Sequence, residues 1–109
     1  MTKIRYRDTK EYQELMLEGH AGDSIVCAGI SAVSQTLLEN LLREETRKQI
    51  MLQWTMNTPG EIWMRAWTKD ESAAEIRNMF EFTMAGLRGI AEEHPDNLKI
   101  REEKGNGHV

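Results

Sequence analysis

The sequence predicts an α+β fold, a two-layer sandwich in which two helices pack on one face of a mixed or antiparallel sheet of about five strands. Three observations lead to this prediction. Short segments alternate apolar and polar residues as strands do, two longer segments repeat apolar residues at helical spacing, and the links between segments are short. No internal repeat or low-complexity stretch divides the chain, so we expect one domain over residues 1–109, with a loose tail from about residue 105.

The first two strands are predicted to form a hairpin. Residues 3–7 alternate in polarity, residues 8–10 have the composition of a turn, and residues 12–18 alternate again. In the second strand Leu15 and Leu17 share one side, whereas the residues between and around them are polar or Met. The hairpin should therefore bury the leucine side and deliver the residues after position 18 to an edge of the sheet.

The first helix is predicted from about Ile25 to Arg43, with Ser24 as its N-cap. Residues 44–47 read as a polar link to the next strand. The buried stripe of the helix is carried by apolar residues at helical spacing, namely Ile30, Val33, Leu37, Leu38, Leu41 and Leu42.

The rest of the chain is predicted to add three strands and a second helix. Ser72 and Glu75 fit a capping box at the start of that helix, and Pro95 ends it. The three strands are expected at Lys48 to Met56, Glu61 to Thr68 and Leu98 to Glu103, and residues 57–60 are expected to form the turn between the first two.

Large apolar residues are expected on the sheet face that the helices leave open. Trp63 and Trp67 fall on the opposite side of their strand from Ile62 and Met64, and Met51 is expected beside them. A small monomer rarely leaves such a patch in water, so we expect a homodimer. The alternative is that neighbouring side chains cover these aromatic rings in part.

Composition narrows the functional class. A net charge of −4 argues against nucleic acid as the main partner, although a basic polypeptide would suit it. We expect no membrane partner, because no uninterrupted apolar run approaches the roughly 18 residues of a membrane span. The N-terminus lacks a signal-peptide core, and a single cysteine excludes an internal disulfide, so the prediction is cytoplasmic.

The chemistry of the chain centres on Cys27 and His20. Cys27 is predicted in the first turn of the first helix, where free backbone N–H groups and the helix dipole favour the reactive thiolate. His20 follows the second strand closely enough to act as a base. The alternatives are that Cys27 is a small buried apolar residue and that His20 is an ordinary surface histidine.

The stretch around Cys27 contains Gly19-His20-Ala21-Gly22 and Ile25-Val26-Cys27-Ala28 with Ser31, and the chain closes with His94-Pro95-Asp96 before Leu98-Lys99-Ile100. In these motifs the chain resembles the ribosomal-processing cysteine proteases, the Prp family. The resemblance implies a cysteine endopeptidase that removes the N-terminal extension of a large-subunit ribosomal protein precursor. It also implies a homodimer, Cys27 as nucleophile and His20 as general base and acid, with no cofactor.

The resemblance is incomplete in one loop. His20 and Cys27 are seven positions apart, whereas the family has a longer, glycine-bearing loop. Ser24 stands where the family has an acidic residue, and Asp23 precedes it. The short loop removes most of what would be a mobile lid over the substrate.

Five further residues are expected to support the catalytic pair. Ala28 matches the family motif beside the nucleophile, and the helix-start N–H groups, that of Cys27 included, are expected to hold the oxyanion. Ser31 either orients His20 or the peptide, or bonds its own helix carbonyl. Asp23 either orients the imidazole or is simply a charge favoured by the helix dipole. Gly19 and Gly22 allow the tight backbone around His20. No metal site is expected.

Two other functions remain open at this point. The same protease fold could act on a phage or virion precursor, to which the shortened loop would be adapted. Alternatively, the chain could be a non-catalytic module that holds a peptide without cutting it. Reactivity of the thiol separates the enzyme from the binding module.

Overall fold

The computed structural model describes residues 1–57 and 60–104 of the chain. It contains a five-stranded sheet and two long helices, joined by short links that include one 3-10 turn. The elements in chain order are β1 (Thr2–Asp8), β2 (Tyr12–Glu18), α1 (Ser24–Thr46), β3 (Ile50–Asn57), β4 (Glu61–Thr68), the 3-10 turn Asp70–Ser72, α2 (Ala73–Glu93) and β5 (Leu98–Lys104).

The sheet is mixed, with the strands in the order β3-β4-β2-β1-β5. The pairs β1–β2, β2–β4 and β3–β4 are antiparallel, and β5 runs parallel to β1. A parallel neighbour requires a long crossover, and α2 provides it before β5 joins the sheet edge. The predicted α+β sandwich is therefore confirmed, and β3 and β5 form the two sheet edges.

The helices cover the sheet face that carries the aliphatic side chains. Leu15, Tyr6 and Met64 lie on this face and are fully buried, as are Phe80 and Leu41 on the helices that pack over them. The ring of Phe80 stacks on that of Tyr6 with the centroids 5.8 Å apart. This core holds α1 in a fixed position over the sheet, and so determines where its first turn lies.

The open sheet face is partly covered by its own side chains. Glu14 is 3% exposed and accepts hydrogen bonds from Trp63 Nε1 at 2.7 Å and from Arg65 at 2.6 Å. Burial raises the pKa of Glu14, but these hydrogen bonds and the Arg65 charge outweigh it and lower the net pKa. Trp63 and Trp67 are half-buried, whereas Met51 is 65% exposed. The two aromatic rings are thus covered in part by their neighbours, whereas Met51 leaves an apolar surface on this face.

The end of α1 and the start of β3 differ from the prediction. Residues 44–46 of the expected polar link belong to α1, which reaches Thr46, and β3 begins at Ile50 and not at Lys48. Glu44 is buried there and pairs with Arg47 at 3.2 Å, and Glu45 Oε2 accepts the N–H of Leu52 at 3.1 Å. These interactions stabilise the polar residues at the end of α1 in a helical conformation.

The predicted capping box at α2 is wrong. Ser72 is the N-cap, but its hydroxyl donates to the carbonyls of Gln49 at 2.9 Å and Lys69 at 3.1 Å and makes no capping bond. The helix ends at Glu93, before Pro95, as predicted. The predicted turn at positions 58 and 59 and the predicted tail at 105–109 lie outside the described residues.

Helix α1 alone, in the described part of the chain, is long and apolar enough to cross a membrane by length and composition. Its most apolar 18-residue segment has a mean hydropathy of 1.4. The sequence analysis considered only uninterrupted apolar runs and therefore did not identify this segment. Core helices pass the same test. Here Val26, Ile30, Leu37 and Leu41 are buried in the core, so the fold uses this apolar stripe for packing.

Candidate active site

A cleft of about 200 Å³ opens where the first turns of α1 meet the end of β2 and the turn between β3 and β4. The structure brings four of the predicted site residues to its wall: Gly19, His20, Cys27 and Ser31. Ala28, Asp23 and Gly22 do not line it. The other lining residues are Thr2, Leu17, Ile30, Ser34, Gln35, Met56, Asn57, Gly60, Glu61 and Ile62.

Asp23, and not Ser24, caps helix α1. Asp23 has extended backbone (φ −140°, ψ 127°), and its Oδ1 accepts the N–H groups of Ile25 at 2.9 Å and Val26 at 3.0 Å. The prediction was wrong by one residue because Ser and Asp are both good N-caps and stand side by side. The carboxylate is occupied by capping, and Cys27 becomes the fourth residue of the helix.

This shift changes the expected oxyanion site. The N–H of Cys27 donates to the carbonyl of Asp23 at 2.9 Å, which is the first hydrogen bond of the helix ladder. The N–H groups of Ile25 and Val26 already serve the Asp23 carboxylate. The expectation that Cys27 contributes a free N–H to an oxyanion is therefore wrong for this conformation.

His20 is held in place by backbone that passes very close on two sides. Gly19 has φ +91°, and a Cβ there would lie 2.5 Å from the carbonyl oxygen of Met1. Gly60 has φ +83°, and a Cβ there would lie 2.7 Å from Gly19 O and 3.4 Å from His20 Cε1. Both positions require glycine. Gly22 also has positive φ, in agreement with the expected tight backbone.

Gly60 and Asn97 are positioning features that the sequence analysis missed. Asn97 Nδ2 donates to the carbonyl of Ala21 at 2.6 Å, and Asn97 O accepts the N–H of Thr2 at 2.9 Å. Ala21 is 3% exposed, so its carbonyl is anchored inside the fold. Gly60 could be predicted only as part of a turn, and nothing in the sequence places Asn97 beside residue 21.

Ser31 and Ser34 have different hydrogen bonds although both lie on the cleft side of α1. Ser34 is buried and donates to the carbonyls of Ile30 at 2.7 Å and Ser31 at 3.3 Å. Ser31 is exposed, and within the residues described its hydroxyl has no partner. The alternative in which Ser31 bonds its own helix carbonyl is thus not what the structure contains.

His20 and Cys27 share the cleft without touching through a hydrogen bond in the described structure. His20 is exposed and Cys27 is half-buried. Catalytic hydrogen bonds are often long in the absence of substrate and shorten in the complex, so the lack of this bond here does not exclude the pair. No group of three metal-ligating side chains is found in residues 1–57 and 60–104.

Comparison with known families decides the class of this protein. Residues 1–99 match the model of the family described as cysteine protease Prp. The chain belongs to the Prp cysteine protease family. It is therefore a cysteine protease, and the matched region includes His20, Cys27 and the turn that bears Asn97.

Solved structures agree with the Prp assignment at the level of the fold. A ribosomal processing protease Prp from S. aureus, in complex with a covalently linked product peptide, has a TM-score of 0.73 at 20% identity, covering 94% of this chain and all of that one. The same protease with a substrate peptide gives 0.72 at 17% identity and the same coverage. A Streptococcus mutans protein gives 0.67 at 23% identity, with 95% of each chain covered. No curated protein matches the sequence.

The Asn97 tether provides a test of how the short Prp loop is held. Asn97→Ala leaves the buried carbonyl of Ala21 without its donor, which should cost about 1–2 kcal/mol of unfolding free energy. We expect kcat for peptide hydrolysis to fall about 10-fold, because misplacement of catalytic groups lowers rate strongly. Steady-state kinetics and thermal denaturation measure the two effects.

Asn97→Asp distinguishes positioning from lost side-chain volume. It keeps the shape but cannot donate when ionised, so kcat should fall as far as in Asn97→Ala. The matched control is Asn40→Ala, because Asn40 Nδ2 also donates to a backbone carbonyl, that of Thr36, but on an exposed helix turn. Equal pH profiles and equal kcat in wild type and Asn97→Asp would contradict the positioning role.

Proposed function

We propose that this Prp-family chain is a cytoplasmic endopeptidase that removes the N-terminal extension from a basic ribosomal protein precursor. Cys27 is the nucleophile, and His20 is the general base and then the general acid. The observation that carries the proposal is the placement of both side chains on one cleft wall, in a chain that belongs to a cysteine protease family. A cytoplasmic location follows from where such a precursor is made.

The proposed reaction has two halves, acylation of Cys27 and hydrolysis of the thioester. His20 accepts the thiol proton of Cys27, and Sγ attacks the carbonyl carbon of the scissile bond to form a tetrahedral oxyanion. The C–N bond then breaks as His20 returns the proton to the departing amine. Water, deprotonated by His20, attacks the resulting thioester and releases the carboxylate product and the thiol.

The supporting residues act on position more than on chemistry. Ser31 lies one turn after Cys27 on the cleft wall, so its free hydroxyl is placed to donate to the bound peptide or to orient His20. Asp23 fixes the start of α1 by capping it, and Ala28 follows Cys27 within the helix. Gly19 and Gly22 shape the backbone around His20. Since the Cys27 N–H is engaged, an oxyanion needs a donor other than this group in the conformation described.

Two observations support the choice of substrate. The S. aureus relative is a ribosomal processing protease that binds a substrate peptide, and this chain has the same fold over nearly its full length. A net charge of −4 also favours the approach of a basic polypeptide. We assign the ribosomal precursor on these two grounds together.

The proposal includes a homodimer formed through the open sheet face. Met51 is 65% exposed there, beside Trp67, to which it is paired in register. We expect sedimentation to give twice the chain mass of 12.6 kDa at micromolar concentration, with the weight-average mass falling on dilution. Met51→Glu should shift the protein toward the monomer, and a wild type that remains at 12.6 kDa contradicts the dimer.

The test of function uses a synthetic peptide that spans the extension and the first residues of the mature ribosomal protein. We expect mass spectrometry to show a single cut between extension and mature chain, and a transient acyl adduct on Cys27 in acid-quenched samples. A second peptide from a phage capsid precursor is the specificity control. Cleavage of that peptide alone would favour the virion substrate over the ribosomal one.

If neither peptide is cleaved, the reactivity of Cys27 distinguishes an enzyme from a binding module. Iodoacetamide titration across pH reports whether Cys27 is more reactive than a free thiol. Tight peptide binding with ordinary thiol reactivity and no adduct would contradict the protease and support a binding module.

A further inference from the structure

One corner of the open sheet face brings together four basic side chains. Lys3 and Arg5 on β1 alternate with buried residues, and Lys99 and Arg101 hold the same positions on β5, so all four project from the face that the helices leave open. In register, Lys3 pairs with Lys99 and Arg5 pairs with Arg101. We call these four residues the basic corner.

The basic corner differs in charge from the next row of the same two strands. In that row Arg7 pairs in register with Glu103, and the two side chains form an ion pair at 3.2 Å. Arg101 also reaches Glu103 at 3.2 Å, but its side chain is 77% exposed, where an ion pair contributes little. The two lysines and Arg5 have no ion pair with any residue that the structure describes. Like charges directly opposite each other lower the stability of a sheet, so stability of the fold does not explain this corner.

A groove of about 350 Å³ crosses the basic corner. Its other lining residues are Ile4, Met16, Glu18 and Ile100, of which only Glu18 is charged. Four positive charges therefore face one negative charge here, although the whole chain has a net charge of −4. The net charge is an average over the molecule, and an anionic partner fits this corner even though it does not fit the surface as a whole.

The side chains beside the corner favour RNA over an acidic peptide. Across the sheet from Arg5, in register, lie Met16 on β2 and then Trp63 on β4. Guanidinium groups and aromatic rings stack on the bases of single-stranded nucleic acid, while basic side chains bind its phosphates. Neighbouring cations of the corner are spaced by roughly 5 Å between strands and roughly 7 Å along a strand, so one nucleic-acid strand can contact several of them.

We propose that the basic corner binds single-stranded RNA through its phosphates, without reading its sequence. A second copy of the chain is not the occupant, because a two-fold contact centred here would oppose like charges. The dimer contact proposed above involves Met51 on β3, four strands from β5 and roughly 19 Å away, so the two surfaces can be used at once. The inference goes beyond peptide hydrolysis and does not depend on it.

Fluorescence anisotropy of the full chain with a labelled oligouridine of about ten nucleotides tests the proposal. We expect a Kd of about 1–100 µM at physiological salt, and a slope of log K against log[salt] of roughly −3, because each phosphate contact to a single strand contributes about −0.7. Lys3→Ala/Lys99→Ala should weaken binding about 10-fold and bring the slope about 1 to 2 closer to zero. Both lysines are exposed, so thermal denaturation should show this variant to be at least as stable as the wild type.

Lys10→Ala/Lys69→Ala is the matched control. It removes the same charge from two exposed lysines outside the corner, so Kd should stay within about 2-fold of wild type. A polyglutamate peptide of the same length should bind at least about 10-fold more weakly than the RNA, since it has no bases to stack. An oligothymidine that binds no more tightly than the RNA is also expected, because the contacts are to phosphates and base faces.

Four results overturn the RNA site. They are a Kd above about 1 mM, equal weakening by both lysine variants, polyglutamate binding as tight as RNA binding, and a preference for the DNA strand over the RNA. Because none of these measurements involves cleavage, the RNA site and the protease proposal can fail separately.

Discussion

Cys27→Ala is expected to lower kcat/KM for the extension peptide by roughly 10⁴- to 10⁶-fold, the range found when the nucleophile of a covalent mechanism is removed. Without Sγ no thioester forms, and the cleft retains only what binding and positioning contribute. Cys27 is half-buried, so its replacement leaves a small void and should change unfolding free energy little. Discontinuous mass-spectrometric assays at high enzyme concentration are needed to measure so low a rate.

Cys27→Ser is the conservative companion of this variant. It keeps size and position but presents a hydroxyl, a far weaker nucleophile than a thiolate at neutral pH. We expect activity close to that of Cys27→Ala, with wild-type thermal denaturation for both. Either variant cutting the peptide at more than a tenth of the wild-type rate would show that Cys27 is not the nucleophile.

His20→Ala is expected to lower kcat/KM by about 10²- to 10⁴-fold, because one residue is proposed to move the proton in both halves of the reaction. The loss should be smaller than for Cys27, since solvent can still carry protons to and from the thiol. Steady-state kinetics of wild type and variant with the extension peptide measure this difference.

His94→Ala is the control for that experiment. His94 lies at the C-terminal end of α2, is half-buried and is not among the residues that line the cleft. It should keep wild-type kcat/KM. If His94→Ala lost as much activity as His20→Ala, or if His20→Ala kept wild-type kcat/KM, the assignment of His20 as base would be wrong.

The elements could be predicted from sequence where local pattern and global fold agree. Strand β4 was predicted with the bounds Glu61–Thr68 that the structure has, because Ile62, Met64 and Ala66 alternate strictly with larger or charged neighbours. The predicted helix end at Arg43 failed because a polar run was read as a link. Glu44 and Glu45 are stabilised there by Arg47 and by the N–H of Leu52, and the local sequence pattern does not predict these partners.

The proximity of the two residues proposed as the catalytic pair could be predicted, but their surroundings could not. His20 and Cys27 lie within one short segment, so chain connectivity alone brings them near each other. The turn at Gly60, 40 positions from His20, passes so close that a Cβ at Gly60 would lie 3.4 Å from His20 Cε1, and the donor to Ala21 comes from Asn97, 76 positions away. These close approaches depend on how the turn after β3 and the turn before β5 pack near the end of β2. The pattern of a single sequence does not reveal that packing.

The sequence by itself determined the α+β sandwich, the alternation that divides each strand into a buried and an open side, and the identity of the two residues proposed to do the chemistry. Periodicity and family motifs are local properties, so a chain read residue by residue reveals them. Tertiary structure decided that the Cys27 N–H is engaged, that Trp63 and Trp67 are covered in part, and that basic side chains of β1 and β5 meet on the open sheet face. The physical reason is that the exposure and hydrogen bonds of a residue depend on which distant segments pack around it, and these are determined only by the packed core.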